Sequence, residues 1–564
     1  MKEERSYDAI VIGSGISGGW AAKELCEKGL KTLVLERGRP IEHLKDYPTA
    51  PLHPWQLPHR GRMSKAFLDE NPLISKAAGF GSDTAHFFIR DQDHPYIQEQ
   101  PFDWIRGYQV GGKSLTWGRA CQRWSDFEFT APQRFGYGID WPIRYADIAP
   151  WYTHVEKFIG VCGHADGIEA MPDGEFLPPF QLNCVETALQ ESIRKHYPDR
   201  HLVQARWAHL TQPKDIHLQQ GRGKCQARNL CMRGCPYGGY FSSVSSTLPW
   251  AQKTGKLTIR PHSVVHSIRY DEATQKASGV RVIDAESNEV IDFSARVIFV
   301  NASALNSNLI LLNSRSNRFP NGLGNDSGLL GKYVAFHNYR ASLHAEMPGF
   351  TDRYYFGRNP TDAIIANYRN LAKQDTDYLG GFTTFLGAYR KKGTLTAKSP
   401  GFGAEFKKAM TEPGTWQIYM YMQGETIPKA SNHVRLSTDQ TDAWGIPSLI
   451  TSVGYDENDE KMTQDFIQES KTMLEKAGCT TIETHDNRQA PGLDIHEMGG
   501  VRMGRDPKTS LLNARNQMHA VPNVFVTDGA CMTSTGNQSP SLLYMALTAR
   551  AAAYAAQELK ARRL

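Results

Sequence analysis

The sequence has no long apolar stretch, no cluster of one charge and no recognisable export signal. No segment approaches the roughly 20 apolar residues that a transmembrane helix needs. The formal net charge is only +5 over 564 residues, and without a basic stripe a nucleic-acid partner is not expected. The residues after Met1 show neither a signal peptide nor a twin arginine. We therefore expect no membrane span, and either a periplasmic location, reached by co-export with a signal-bearing partner, or a cytoplasmic one.

Cysteines that could form a disulfide framework are also scarce. The nine cysteines are an odd number in a long chain, which argues against such a framework. Apolar residues (40%) and charged residues (22%) have the proportions of an ordinary enzyme rather than of a disordered or fibrous chain. Because 564 residues exceed the size at which one hydrophobic core stops growing, we expect two closely joined domains.

The N-terminal residues contain the pattern of a βαβ unit. Residues 8–12 predict a buried strand, residues 17–27 have helical spacing with Gly29 after the helix end, and residues 32–35 predict a second buried strand. A strand, a glycine turn, a helix and a strand within so short a segment are typical of a nucleotide-binding unit.

A glycine fingerprint joins the first strand of this unit to its helix. Gly13, Gly15 and Gly18 have the spacing that permits a tight turn, close approach of a pyrophosphate and close helix packing, and Glu36 is placed to bind ribose hydroxyls. The pattern by itself does not separate NAD from FAD. The predicted dinucleotide contacts here are Gly13, Gly15, Ile16, Ser17, Gly18, Glu36 and Arg37.

Periodicity predicts further elements along the chain. Residues 257–270 and 278–284 alternate as antiparallel strands do, and residues 296–301 and 524–528 read as buried strands. Short aromatic-rich strands such as residues 416–423 predict an antiparallel sheet between residues 339 and 456. The predicted helices are residues 305–313, 457–476 and 541–559.

Several motifs in the order of one family run from the glycine fingerprint to the last helix. They are Gly111-Gly-Lys-Ser-Leu-Thr-Trp117, His496-Glu-Met-Gly-Gly-Val-Arg-Met-Gly504, Val521-Pro-Asn-Val-Phe-Val-Thr-Asp528-Gly-Ala and Ser539-Pro-Ser-Leu-Leu-Tyr-Met-Ala-Leu-Thr-Ala-Arg550. Together they resemble the glucose–methanol–choline (GMC) oxidoreductases. The resemblance implies an α/β fold (α+β overall), with a Rossmann-like FAD domain at residues 1–130, 222–335 and 486–564. It also implies an antiparallel-sheet substrate domain at residues 131–221 and 336–485.

The same resemblance implies which residues contact FAD. The expected contacts beyond the glycine fingerprint are Gly111, Gly112, Ser114, Leu115, Thr116, Trp117, Val264, Val265, Asp528, Gly529, Ser539 and Pro540. Some sugar oxidases of the family attach FAD covalently to a histidine in the first of these segments. Thr116 stands at that position here, so we predict non-covalent FAD.

His496 fills the family's histidine position and is the expected catalytic base, since a neutral imidazole can accept a hydroxyl proton near pH 7. The family's second catalytic residue is His or Asn before the final helix, and this sequence departs from that pattern. An ungapped match places Ser539 there, whereas Asn537 could supply an amide. We favour Asn537, although a loop-turn role for it is nearly as well supported.

Cys225, Cys231 and Cys235, followed by Pro236, have the close spacing of iron–sulfur ligand loops. Some sugar dehydrogenase subunits of the family bear a similar segment and use a [3Fe–4S] cluster to pass electrons from FAD to a cytochrome. A structural zinc with a fourth ligand from elsewhere, a local disulfide and simple packing are the alternatives.

The segments Trp104-Ile-Arg-Gly-Tyr108 and Asp140-Trp-Pro-Ile-Arg-Tyr145 most resemble bacterial sugar dehydrogenases of the glucoside 3-dehydrogenase and gluconate dehydrogenase type. That resemblance implies oxidation of a sugar or glycoside ring hydroxyl, with C3 as the candidate carbon, by hydride transfer to flavin N5. Electrons would pass to a small subunit or a cytochrome acceptor. The alternatives are an oxidase that uses O2, a non-redox FAD-containing lyase and a non-enzymatic flavin-binding component.

Overall fold

The computed structural model describes residues 5–353, 361–392 and 401–564. The strands are β1 Ser6–Ile12, β2 Thr32–Leu35, β3 Ile97–Gln98, β4 Leu202–Gln204, β5 Leu257–Arg260, β6 Ser263–Asp271, β7 Lys276–Asp284, β8 Val290–Val300, β9 Lys332–Ala335, β10 His337–Asn338, β11 Ala341–Met347, β12 Ala363–Ile365, β13 Phe382–Lys392, β14 Pro413–Glu425, β15 His433–Thr441, β16 Pro447–Ser452, β17 Thr480–Asp486, β18 Met498–Gly500 and β19 Val524–Val526. The helices are α1 Ile16–Glu27, α2 Lys65–Glu70, α3 Asp126–Phe135, α4 Tyr145–Ile159, α5 Cys184–His196, α6 Asp215–Gln219, α7 Thr247–Gln252, α8 Ala304–Asn313, α9 Gly403–Thr411, α10 Glu457–Lys476 and α11 Ser541–Lys560. Among the described helices, none combines the length and the apolar character that crossing a membrane requires.

The first sheet has the order β5-β2-β1-β8-β7-β6, with β19 beside the C-terminal half of β8. Its core strands β2, β1, β8 and β19 pair in parallel. The predicted βαβ unit is confirmed, with α1 joining β1 to β2. Because parallel strands end at the same edge of a sheet, the turns after β1, β2 and β8 meet there, as in doubly wound folds.

The prediction of antiparallel pairing throughout residues 257–270 was wrong for its first part. β5 pairs in parallel with β2, whereas β6 pairs antiparallel with β7. The strand is interrupted between β5 and β6, where His262 has a φ of 52°. Alternation of apolar and polar residues shows that a strand is half-buried, but it does not show the direction of its neighbour.

The second sheet has the order β17-β11-β14-β13-β12-β4, with β10 beside β14, and its strands pair antiparallel. Helices α5 and α10 pack on it through a common apolar cluster that includes Leu189 and Phe466. The bounds predicted for α10 are confirmed.

A third sheet, with the order β18-β9-β15-β16-β3, takes two of its strands, β15 and β16, from the region predicted as one antiparallel sheet. That prediction was incomplete, because β15 and β16 belong to this third sheet, β16 pairs in parallel with β3, and α9 interrupts the strands. These pairings join residues far apart in sequence, so local periodicity carries no signal for them. The domain boundaries given above stay a prediction.

The segment from β9 to β10 crosses from the third sheet to the second and determines where two histidines meet. Met498 in β18 lies opposite Ala335 in β9, in an antiparallel register. His496 is two residues before Met498 and His337 is two residues after Ala335, so the same register places these two histidines opposite each other. His337 is in turn paired with Glu425 of β14.

Candidate active site

A different structural reason explains why each of the three fingerprint positions is a glycine. Gly13 has a φ of +95°, and a Cβ there would lie 2.3 Å from the carbonyl oxygen of Asn301. A Cβ on Gly18 would lie 1.9 Å from the carbonyl oxygen of Gly13, so α1 packs directly on the turn. A Cβ on Gly15 would meet no atom of the described residues within 4 Å. Gly15 therefore leaves open space in front of the N-terminus of α1, where side-chain capping is absent and backbone N–H groups are available for a phosphate.

Ser14, which the sequence analysis did not single out, connects the glycine turn to Glu36 and to the second glycine segment. Its backbone N–H and its hydroxyl donate to Glu36 Oε2 at 3.1 and 2.5 Å, and its Oγ accepts from the Gly111 N–H at 2.9 Å. Gly38 N–H donates to Glu36 Oε1 at 3.0 Å. Burial raises the pKa of Glu36, and the hydrogen bonds from Ser14 oppose that rise. Glu36 is thus held rigidly at the cavity wall.

These segments surround one elongated cavity of about 390 Å³. The predicted site residues that line it are Gly13, Gly15, Ile16, Ser17, Glu36, Arg37, Gly112, Ser114, Thr116, Trp117, Val264, Val265, His496, Asp528, Gly529 and Ser539. The predicted residues outside its lining are Gly18, Gly111, Leu115, Pro540, Asn537, Cys225, Cys231 and Cys235. Gly18 and Gly111 belong to the two glycine turns but do not face the cavity. The Leu115 side chain is buried in the apolar core.

The lining has the donors and the orphaned polar atoms that a large polar cofactor would satisfy. The Tyr544 hydroxyl is buried without a hydrogen-bond partner among the described residues, and so is Glu497 Oε1. Lys113 Nζ lies 3.2 Å from the other oxygen of Glu497. Asp528 accepts from the Ser307 hydroxyl at 2.5 Å and from the Ala530 N–H at 3.0 Å. With the open space at Gly15, these residues fit a bound dinucleotide.

His337 is the side chain that the structure brings to His496. Their Nδ1 atoms are 2.9 Å apart, and their rings meet edge to face. His337 Nε2 lies 3.0 Å from the carbonyl oxygen of Gly536 and 3.3 Å from that of Thr535. No local motif marks His337 in the sequence; the strand register alone could have indicated it.

The hydrogen bonds fix the tautomers of both rings. Backbone carbonyls only accept, so His337 Nε2 carries the proton and donates to Gly536. In a neutral ring, His337 Nδ1 then accepts the proton carried by His496 Nδ1. The remaining nitrogen, Nε2 of His496, is left unprotonated on a side chain that lines the cavity.

Burial keeps both rings neutral. It lowers the pKa of His337 to about 4, against the opposing effect of the two backbone carbonyls. It also lowers the pKa of His496 well below its ordinary value, and the charge of Lys113 lowers it further. The ligand atoms of His337, Asp494 and His496 lie within 4.8 Å of one another. Asp494 accepts from the backbone N–H of His337 at 2.7 Å, and burial raises the pKa of Asp494 to about 7.

The two residues predicted as alternatives for the second catalytic group lie in different surroundings. Asn537 lies in the protein interior, where its Oδ1 accepts from the Thr383 hydroxyl at 2.8 Å and its Nδ2 donates to Glu128 at 3.4 Å. Ser539 lines the cavity, and its hydroxyl donates to Gln423 Oε1 at 3.5 Å. Of these two residues, only Ser539 is placed to reach a ligand in the cavity.

The three predicted metal-ligating cysteines share a separate small pocket with His209 and Tyr240. All nine cysteines are unpaired, so a local disulfide is not formed. Among the described residues, Cys225, Cys231 and Cys235 do not form a group whose sulfur atoms all lie within 4.8 Å of one another. Ligands of one tetrahedral zinc would be about 3.8 Å apart, whereas ligands of different irons in a cluster are farther apart.

The chain matches one protein family over most of its length. Residues 7–337 and 428–548 match the N-terminal and C-terminal regions of the family described as GMC oxidoreductase. The 2-methyl-1,2-propanediol dehydrogenase of Mycolicibacterium austroafricanum is 26% identical, over 97% of this chain and 94% of that protein. The fructose dehydrogenase large subunit of Gluconobacter japonicus is 27% identical, over 99% of each chain.

A solved structure shares the fold. Pyridoxine 4-oxidase from Mesorbium loti superposes with a TM-score of 0.59 and 17% sequence identity, over 97% of this chain and 98% of that one. At this level of identity the likeness concerns the arrangement of the sheets and helices. It supports a Rossmann-like domain joined to a substrate domain.

Proposed function

Since the chain belongs to the GMC oxidoreductase family, and is therefore an FAD-dependent enzyme that oxidises CH–OH groups, we propose that it oxidises a ring hydroxyl of a sugar or glycoside, at C3, to the ketone. The observation that carries this proposal is the His337–His496 pair at the cavity wall. It supplies a neutral base with a fixed tautomer at a site built for a dinucleotide.

His496 acts as the base. Its Nε2 accepts the proton of the substrate hydroxyl as hydride leaves the same carbon. His337 holds the other proton on Nδ1, so that Nε2 stays free, and Asp494 stabilises the imidazolium that forms. Positioned general bases of this kind contribute roughly 10²–10⁴-fold to rate.

Bound non-covalently, FAD would supply the hydride acceptor. The glycine turn with Gly15 and the N-terminus of α1 would hold its pyrophosphate, and Glu36 its ribose. Asp528, Gly529 and Tyr544 would hold the parts nearer the ring system. Thr116, at the cavity wall, offers a hydroxyl that forms no stable bond to a flavin, which supports a non-covalent cofactor.

The wall of the cavity beyond the glycine turn supports a sugar-sized substrate. Trp207, Tyr339, Phe385 and Tyr421 line it, together with the amide of Gln423. The Tyr421 hydroxyl donates to Asp362 at 3.2 Å, which fixes the ring orientation. Flat aromatic faces with a few polar groups suit a molecule that has both C–H faces and hydroxyl edges. The similarity to a fructose dehydrogenase subunit favours the same class.

We also propose that electrons leave through a [3Fe–4S] cluster on Cys225, Cys231 and Cys235 to a small subunit or a cytochrome. Met232, which lies between Cys231 and Cys235, lines the cofactor cavity, so the cysteine loop reaches the wall of that cavity. Among the described residues, the three sulfur atoms do not all lie within 4.8 Å of one another, as the ligands of a single tetrahedral zinc would. The similarity to a protein named as a large subunit supports a partner. We propose that the protein reaches the periplasm together with that partner.

The test compares wild-type protein with His496→Gln in anaerobic reduction of an artificial electron acceptor by glucosides. We expect kcat to fall by roughly 10²–10⁴-fold in the variant with unchanged FAD content. The wild type should give a keto-glycoside that mass and NMR spectra identify as the 3-keto product. Full activity in His496→Gln would refute the role of the base. In a parallel assay under air without the artificial acceptor, peroxide formation at the rate of sugar oxidation would favour an oxidase.

A further inference from the structure

The three-cysteine pocket is surrounded by hydrogen-bond donors and cations. His209 Nδ1 lies 3.7 Å from Cys225 Sγ, and the Gly239 N–H donates to Cys235 Sγ at 3.3 Å. Arg222 is 1% exposed and donates to the carbonyl oxygens of Gly238 and Ile159 at 3.0 and 2.8 Å. Donors around sulfur stabilise thiolate rather than thiol.

Two buried guanidinium groups near this pocket, those of Arg119 and Arg222, have no carboxylate partner among the described residues. Among the described residues, neither Arg119 nor Arg222 forms an ion pair, whereas their neighbours Arg206 and Arg233 are paired with Asp173 and Asp83 at 2.5 and 2.6 Å. An unpaired buried charge costs several kcal/mol, so two of them in one place indicate an anionic partner. Burial lowers the pKa of Arg222 to about 9, and the negative charge of Cys235 opposes that fall. Three thiolates can supply the missing negative charge.

Arg119 differs from Arg222 because it lies between the cofactor cavity and the cysteine pocket. It lines the cofactor cavity, and its Nη1 lies 3.9 Å from the sulfur of Met232. Its Cζ is 5.4 Å from the ring centre of Tyr240, which lines the cysteine pocket. Arg222 does not line the cofactor cavity.

We infer that Arg119 is a counter-charge shared by the cofactor cavity and an anionic, thiolate-ligated iron–sulfur group, and that Arg222 is a counter-charge of that group alone. The inference rests on the cluster proposed above. Each electron that the group accepts from the reduced flavin adds one negative charge, which a nearby guanidinium stabilises. Both arginines should therefore raise the reduction potential of the cysteine site, and Arg119 should also raise that of the flavin.

The experiment measures the midpoint potentials of flavin and iron–sulfur signals in the anaerobic holoenzyme by optical and EPR redox titration. Arg222→Met should make one-electron reduction of the iron–sulfur group at least tenfold less favourable, a fall of about 59 mV, with the flavin unchanged. Arg119→Met should lower both potentials. Methionine has a similar length and is apolar, so it avoids leaving an unpaired polar group, and Arg119→Lys and Arg222→Lys should restore most of each shift by retaining the charge.

Several results would overturn the inference. Unchanged potentials in both Met variants would do so, as would an Arg222→Met variant that moves the flavin potential as far as the other. Wild-type protein that contains zinc or no metal would also refute it. In that case reduction of the artificial electron acceptor by glucosides would still test the role of His496 as the base. Failure of this inference can therefore be distinguished from failure of the proposed oxidation.

Discussion

At the scale of single residues, the candidate base depends on one neighbour. His337 provides the acceptor that keeps the proton on Nδ1 of His496. Replacing it by Leu should leave the tautomer of His496 undetermined and lower kcat by roughly 10²-fold or more, with KM little changed. Replacing it by Asn, whose side-chain oxygen can take the place of Nδ1, should restore a large part of kcat. Steady-state kinetics of the two variants with one substrate checks this.

A purely structural role for His337 would give a different result. Both variants would then lose activity in proportion to the fraction of unfolded protein, and the Asn variant would show no selective recovery. Flavin content and thermal unfolding of each preparation provide the control. Equal kcat in the Leu and Asn variants contradicts the positioning role.

The pH dependence of the reaction should be determined by the same pair of histidine rings. A base must be neutral to act, and burial lowers the pKa of His496 below the ordinary value of 6.5. Activity should therefore persist as the pH falls through 6.5 and be lost only at more acidic pH. The measurement is kcat/KM against pH for wild-type protein. An acidic limb with a midpoint at or above 6.5 would contradict the assigned environment.

At the scale of elements, the turn between β1 and α1 contains two glycines whose substitution should affect different properties, FAD binding in one case and stability in the other. Gly15 has a φ of −66° and open space beside it. Gly15→Ala should therefore fold normally and weaken FAD binding roughly tenfold or more, about 1.4 kcal/mol, because the methyl group occupies the space of the pyrophosphate. Titration of the apoprotein with FAD measures this.

Gly18→Ala is the matched variant in the same turn. Its Cβ would lie 1.9 Å from the backbone oxygen of Gly13, so α1 must move away from the turn. We expect a loss of about 1–3 kcal/mol in the free energy of unfolding. Denaturant unfolding in the absence of FAD separates the two variants, since Gly15→Ala should match the wild type there. Equal loss of stability in both would refute the division of roles.

At the scale of the whole molecule, the cavity joins segments that are far apart in the chain. Its wall combines the glycine turn, the segment around Ser114, the strand β6 and the residues after β19. A ligand that spans them should stabilise the folded state by about 2.7 kcal/mol at a free concentration of 100 Kd. The midpoint temperature of thermal unfolding should rise by a few °C with FAD. It should rise by less with riboflavin, which lacks the pyrophosphate. No difference between the two ligands would contradict binding at the glycine turn.

The sequence alone determined the βαβ unit, the glycine fingerprint, helix α10 and the position of His496, because each is written in local spacing or in a short motif. Only the tertiary structure decided which group faces His496. His337 is 159 residues away in the chain and meets it through strand register. Tertiary structure likewise decided that Asn537 is enclosed in the interior. It also decided that Arg119 and Arg222 are buried without a carboxylate partner in the part of the chain that the structure describes. The physical reason is the same in each case: long-range strand pairing and burial depend on which distant segments pack together, and local periodicity carries no record of that choice.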